Sequence, residues 1–340
     1  MIKINMFSQA DKVGGQGVGS AYDELIGAMK KYGQKDFDMT INSLKKSDIT
    51  HYHTINPRYY LLSFFKNKRG VGVGSVHFVP ETLNGSLRIP KPFKKIFDWY
   101  LISFYKRMDG LVVVNPEFVN EVVKLGISKE KVTYIPNFVS SKEFYEMNDD
   151  EKKRFRQKLG IKPDKFVVLG VGQIQKRKGF DDFVKLAKQN PDIQFIWAGG
   201  FSFGKITDGY DSYKKIYDNP PANMLFTGII KRKELASYYN IANLFLLPSY
   251  SELFPMSILE ALNCNTPIML RNLDLYVDIL GDSYLAEKDV TEMDQNLKYY
   301  SKHEDELKEF NKKSRKWANL YSEESIYNRW KEYYISLLNK

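Results

Sequence analysis

The chain has 340 residues, 43% of them hydrophobic, and carries a formal net charge of +10. That length is about twice an ordinary domain, so two domains are the natural expectation, and no run reaches the roughly 18 uninterrupted apolar residues that a membrane-spanning helix requires. With one cysteine, Cys264, no internal disulfide or thiolate-rich metal site can form, and redox chemistry is not expected.

Ile2 to Phe7 alternates like a strand and lacks the long apolar run of a secretion signal, so the chain is expected to remain in the cytoplasm. It runs into a glycine-rich loop, Gly14 to Gly19, and then into a helical stretch from Ser20 to Lys31. The loop reads GGQGVG, which is not the G-x-G-x-x-G dinucleotide pattern, so it is not read as a NAD site. His51 and His53 share one face of a strand; with no third ligand nearby they are read as structural, not as a metal site. Gly72 to Phe78, Leu111 to Asn115 and Val132 to Pro136 are further strand-like runs, which together suggest a parallel sheet. Residues 148 to 163 are polar and charged and read as a linker.

The alternation then repeats. Phe166 to Val171, Gln194 to Ala198, Asn223 to Gly228, Leu244 to Pro248 and Pro267 to Leu270 are short apolar strands separated by helical segments, and Glu304 to Lys340 looks helical throughout. The expected fold class is α/β, with two doubly wound, Rossmann-like parallel-sheet domains at 1–150 and 151–321. A last helix, about 322–340, is expected to return to the first. Ligands of such sheets bind beyond the carboxyl ends of the strands, which directs attention to the loops there.

Two of those loops carry the chemistry. SYSELFPMSILEALNCNTPIML, from Ser249 to Leu270, places Glu252 after a buried strand and Glu260 inside the following helix, with Pro255 suited to the first turn. Amides around Phe254 and Met256 would then form a helix N-terminus, an anion site. The carboxylates could accept hydrogen bonds from a ribose diol and from a sugar. Equally, Glu252 could be a capping residue and Glu260 a solvated helix position. GVGQIQKRKGF, from Gly170 to Phe180, offers Lys176, Arg177 and Lys178 beside Gly179. Cations at a strand's carboxyl end suit a diphosphate, and a plain solvated loop is the alternative.

The charge is unevenly placed: residues 58 to 107 hold ten Lys/Arg against two acidic residues. Within it, residues 91 to 108 separate on a helical wheel into Phe93, Ile96, Phe97, Tyr100, Leu101 and Phe104 on one arc, and Lys91, Lys94, Lys95, Trp99, Ile102 and Lys106 on the other. Lysines mixed with Trp99 and Ile102 suit an anionic membrane surface; an ordinary sheet-packing helix is the alternative. No helix-turn-helix, zinc spacing or RNP-like motif accompanies the charge, so nucleic acid is not the expected partner.

At these residues the chain resembles the retaining family-4 glycosyltransferases. Glu252 and Glu260, with seven residues between them, match the family's acidic pair, and Lys178-Gly179 matches its Lys-Gly after the first strand of the donor domain. The glycine loop at Gly14 to Gly19, the histidine of SVHF, the IPN turn at Ile135 to Asn137, the AGG turn at Ala198 to Gly200 and the TG before Ile229 extend the match. The resemblance implies a GT-B fold with two domains facing across a cleft, in which Lys178 binds the donor diphosphate, Glu260 the ribose hydroxyls, and Glu252 and His77 the transferred sugar. Gly15 and Gly17 would approach the phosphates. The sequence departs from the pattern where Gln173 replaces a frequent arginine, with Arg177 as its candidate substitute, and where Leu253 and Pro255 replace glycines. The chain is similar in particular to the bacterial enzymes that build diacylglycerol glycolipids by adding a second hexose. That implies a UDP-glucose or UDP-galactose donor, a membrane glycolipid acceptor such as monoglucosyl-diacylglycerol, no metal, and peripheral attachment to the cytoplasmic leaflet. A polysaccharide or polyprenyl-linked acceptor, and a basic nucleic-acid-binding protein, are the alternatives.

Overall fold

The computed structural model describes residues 1–9, 17–80, 91–202, 204 and 207–339. It divides into two compact units, one holding the first strand, Gly17–Phe138 and Glu323–Lys340, the other Val139–Ser322.

The first unit runs β1 (Ile2–Phe7), α1 (Gly17–Tyr32), β2 (Phe37–Ile41), β3 (Ile49–Tyr52), α2 (Pro57–Leu62), α3 (Lys66–Arg69), β4 (Val71–Val76), α4 (Lys91–Lys106), β5 (Gly110–Val113), α5 (Glu117–Lys124) and β6 (Val132–Tyr134). All pairings are parallel, in the order β2-β1-β3-β4-β5-β6. The order reverses beside β1, so the carboxyl ends of β1 and β3 flank this sheet's switch point. The second unit contains α6 (Asp149–Lys158), β7 (Val167–Val171), α7 (Phe180–Gln189), β8 (Gln194–Ala198), α8 (Tyr210–Asp218), β9 (Met224–Gly228), α9 (Arg232–Ile241), β10 (Leu244–Leu247), α10 (Met256–Asn263), β11 (Ile268–Arg271), α11 (Asp274–Leu280), β12 (Leu285–Glu287), α12 (Val290–Tyr300) and α13 (Glu304–Leu320). Its parallel order, β12-β11-β10-β7-β8-β9, puts the switch point between β7 and β10.

Burial on both faces explains the composition of these strands. Every residue of VVLGV in β7 and of LFLL in β10 is buried, as expected where helices cover a parallel sheet from both sides. Trp197, Phe195, Phe183 and Phe180 pack edge-on in that core. Sequence patterning misses β2, whose alternation is partly exposed, and β12, which is three residues long.

The charged segment read as helical throughout forms two helices that part at Tyr321–Ser322, and α14 (Glu323–Leu338) lies with the first unit. Asp36 anchors it through Lys331, at 2.7 Å, and the Tyr327 hydroxyl. The units part at Phe138/Val139, ahead of the charged stretch at 148–163. Side-chain hydrogen bonds set that point. Asn240 accepts from the Met147 amide at 2.7 Å and donates to the Tyr145 carbonyl at 2.8 Å, while Asn263 donates to the Val139 carbonyl. Asn240→Ala would leave two backbone groups of this segment without partners, and urea denaturation should show a loss of about 1–3 kcal/mol.

Candidate functional site

The loop after β7 begins at Gly172 and ends in a 3-10 turn, Lys176–Lys178. Two glycines allow it. Gly199 sits at φ +142, where a Cβ would lie 1.9 Å from the Gly172 carbonyl oxygen, so the ends of β7 and β8 meet only without a side chain. Gly179 sits at φ +67, where a Cβ would lie 2.2 Å from the Pro248 carbonyl oxygen at the end of β10. Removing the side chain there lets the two strand-end loops touch.

Contact continues through the loops themselves. The Tyr250 amide donates to the Arg177 carbonyl at 2.9 Å, and Arg177 Nη1 donates to the Ser251 carbonyl at 2.6 Å. Lys178 Nζ reaches Glu252 Oε1 at 2.6 Å, with Arg177 Nη1 at 3.5 Å from the other oxygen. Both members of the close pair are largely shielded from solvent, the Lys178 side chain 13% exposed and that of Glu252 5%. Burial drives the Glu252 carboxyl up, but Lys178 and Arg177 outweigh it and hold the group below its ordinary range, ionised. Burial also pulls the Lys178 ammonium down, against the opposing pull of Glu252. On the far side of the loop, Arg271 joins Asp182 at 2.5 Å, donates to the Pro248 carbonyl and lies 4.1 Å over the Tyr250 ring. Sequence reasoning missed this brace because its members come from α7, β10 and β11.

Glu252 is not a helix cap. Pro255 precedes α10 in extended conformation and no side chain among the described residues caps that helix, leaving its N-terminal dipole for an anion. Phe254 and Met256 are both buried, Phe254 edge-on to Tyr321 at 5.4 Å. Glu260 is not solvated either: it is 4% exposed. The Tyr239 hydroxyl donates to its Oε2 at 2.8 Å, and Arg232 stands 3.3 Å from its Oε1 while also meeting Glu143 at 2.9 Å. Burial raises the Glu260 carboxyl despite these partners. Arg232 and Tyr239 both lie on α9, and the sequence carried no signal for them. Gln173 is half-buried in the loop after β7.

In the first unit, His77 follows β4 and is 8% exposed. His53 lies against it, ring centroids 4.5 Å apart. His51 and His53 use their ring nitrogens within the protein, on Tyr334, Ser75 and Val18. Gly17 opens α1, whereas Gly15 lies outside the described residues.

Helix α4 corrects the wheel. Ile96, assigned to the packing arc, is 63% exposed, and Tyr105 joins Leu101 and Phe104 in the core. The carboxyl-terminal half packs down: Phe104 is edge-on to Tyr52 and the Tyr105 hydroxyl donates to the Phe78 carbonyl. Of the six residues on the lysine arc, Lys95, Trp99 and Lys106 are exposed, Lys94 and Ile102 are half-buried, and the Lys91 side chain lies outside the described residues. Beside them Leu61, Phe64 and Phe65 are at least half exposed, a feature the sequence signalled only as SFFKNKR. Arg107 lies 3.3 Å over the Phe64 ring and donates to Ser63, which joins the two patches. A cavity of about 420 Å3 opens between them, with Lys66, Lys106, Arg107 and Lys131 on its wall beside Trp99 and Ile102. No helix among the described residues is long and apolar enough to cross a membrane.

Residues 151–317 match the family model for glycosyl transferases group 1, and residues 36–143 that for glycosyltransferase family 4. The chain is 47% identical, over 98% of its own length and 89% of the relative's, to the alpha-galactosylglucosyldiacylglycerol synthase of Streptococcus pneumoniae. It belongs to the family-4 glycosyltransferases.

This glycosyltransferase is also 26% identical, over 70% of its length and 62% of the relative's, to the alpha-monoglucosyldiacylglycerol synthase of Acholeplasma laidlawii. Among solved structures, Anabaena HepE in complex with UDP and glucose superposes with a TM-score of 0.78, at 14% identity over 99% of this chain and all of that one. WaaG, a glycosyltransferase involved in lipopolysaccharide biosynthesis, gives 0.71 at 13% identity over 98% and 99%. These likenesses identify the fold as GT-B. The chain is accordingly an enzyme, a glycosyltransferase.

Gly179→Ala would force a Cβ into the Pro248 carbonyl and strain a left-handed residue. Thermal unfolding should register a loss on the order of 3 kcal/mol.

Proposed function

We propose that this enzyme transfers glucose or galactose from its UDP-sugar to a membrane glycolipid, monoglucosyl-diacylglycerol being the representative acceptor, with retention at the anomeric carbon. The observation that carries the reading is near full-length 47% identity to a synthase named for a galactosylglucosyl-diacylglycerol. The chemistry of the two loops supports it. A donor diphosphate competes with Glu252 for Lys178, drawing the ammonium and the α10 amides onto its oxygens, so that charge developing on the departing UDP is stabilised. Release from Lys178 turns Glu252 towards the sugar hydroxyls, for which an ionised carboxylate is a pure acceptor. Arg177, 30% exposed and within reach of the same carboxylate, supplies the second cation where Gln173 is neutral. Glu260 accepts from the ribose hydroxyls, and His77 contacts the transferred sugar. The bond from the anomeric carbon to the UDP oxygen breaks as the acceptor oxygen attacks on the same face, and the acceptor's proton passes to the departing phosphate. In this scheme two cations and helix amides carry the diphosphate, and no metal is needed.

The acceptor side rests on the exposed face of the first unit. Trp99, Ile96, Phe64 and Phe65 supply apolar anchors among Lys66, Lys95, Lys106 and Arg107, a combination that suits an anionic leaflet at roughly 1 kcal/mol per cation. The enzyme is then a peripheral protein of the cytoplasmic face.

Incubation with labelled UDP-glucose or UDP-galactose and membrane lipids should yield a labelled dihexosyl-diacylglycerol; label appearing only in polysaccharide or a polyprenyl-linked saccharide overturns the acceptor assignment. Lys178→Ala should cut kcat/KM by at least about 100-fold, and unchanged turnover would remove the diphosphate role. In vesicle flotation, Trp99→Ala combined with Phe64→Ala should weaken binding to anionic vesicles at least about tenfold, with no change in binding as the contrary result.

A further inference from the structure

His53 ends in a hydrogen bond whose direction is forced. Its Nε2 lies 3.3 Å from the Val18 carbonyl oxygen, which can only accept, so Nε2 carries a proton. In a neutral ring Nδ1 must then accept, and its partner is Ser75 Oγ at 3.4 Å. Ser75 spends its proton on His53, so it accepts from His51 Nε2–H at 2.7 Å. That leaves His51 Nδ1 to accept from the Tyr334 hydroxyl, also at 2.7 Å. One carbonyl thus orients four side chains: Tyr334 donates to His51, His51 to Ser75, Ser75 to His53, and His53 to the first turn of α1. Burial suppresses the charged form of both histidines, His51 falling to about 3, which keeps the rings neutral at ordinary pH.

His77 is left over. The His53 backbone engages one of its ring nitrogens, whereas its Nε2 is buried with no hydrogen-bond partner among the described residues. The His53 ring packs against that of His77, and both His53 nitrogens are already committed. A space of about 20 Å3, bounded by His53, Ser75 and His77 with Ala21, Leu25 and Trp330, is room for a single polar group of about water size. A buried acceptor without a donor is costly and is tolerated chiefly where function uses it.

We propose that Ser75, His51 and Tyr334 are positioning residues for the transfer reaction: by holding both His53 nitrogens in one directed hydrogen-bond chain, they keep His77 as its Nδ1–H tautomer with the Nε2 lone pair reserved for a hydroxyl of the bound sugar or acceptor. The hydroxyl-bearing ligand rests on the functional reading above; the tautomers do not.

Long-range proton–nitrogen correlation on the full chain, labelled at its four histidines, reads the tautomers directly. The expected pattern is Nε2–H at His51 and His53 and Nδ1–H at His77; a proton on Nε2 of His77 at neutral pH overturns the proposal. Ser75→Ala should free His53, shift the His77 tautomer population and lower kcat about 10- to 100-fold, with donor KM changed less than about twofold. In a His77→Ala background the same change should cost nothing further, and additive losses overturn the idea. A wild-type enzyme that makes no glycolipid yet shows these tautomers would sink the functional reading alone. The wild-type spectrum also decides the matter should Ser75→Ala fail to fold.

Discussion

The contact between Gly179 and the Pro248 carbonyl is the constraint on which the chemistry of the second unit depends. Two parallel strands end side by side at a switch point, and their loops would normally diverge to make room for side chains. A left-handed glycine against a backbone oxygen lets them close instead, and the contacts between the two loops follow from that closeness. Lys178, next to the glycine, can reach Glu252 from the other loop, and the Arg177 backbone can receive the Tyr250 amide. Desolvation would expel either charge alone; together they remain ionised, and the carboxylate holds the loop cations in place.

The same logic of commitment operates in the first unit by different means. There the strand ends carry neutral histidines in place of ions, and one backbone carbonyl polarises a chain of side chains that reaches the carboxyl-terminal helix. Ion pairing holds charge ready in one unit, and hydrogen-bond direction withholds a proton in the other. The outer face obeys a third rule: α4 is tethered through its last two turns, so Ile96 and Trp99 stand clear of the sheet while Arg107 ties them to the exposed Phe64.

Much of this was legible in the residues. Apolar runs bounded by turns located nine of the twelve strands among the described residues as such, and His51 with His53 pointed to a tenth, because a strand covered on both faces has little choice but to be continuously hydrophobic. Those that escaped, Phe37–Ile41 and Leu285–Glu287, are partly exposed or too short to show a period. Lys178 and Glu252 stood out because a strand-end loop has few reasons to concentrate charge, and Glu260 through its spacing from Glu252. Arg232, Tyr239, Arg271 and Asp182 did not, since each sits in an ordinary helix or strand and gains its role only from a partner many residues away.

The sequence by itself determined the alternation of short apolar strands with helices, the placement of cations and carboxylates in the loops between them, and the excess of positive charge before residue 108. These are local properties, written in spacing and composition. Only the tertiary structure decided which loops meet, that Glu260 is buried against α9 instead of solvated, that Ile96 faces outward, and which partners the His51 and His53 ring nitrogens meet. All four turn on contacts between segments distant in the chain, and strand order, which no local pattern encodes, is what brings those segments together.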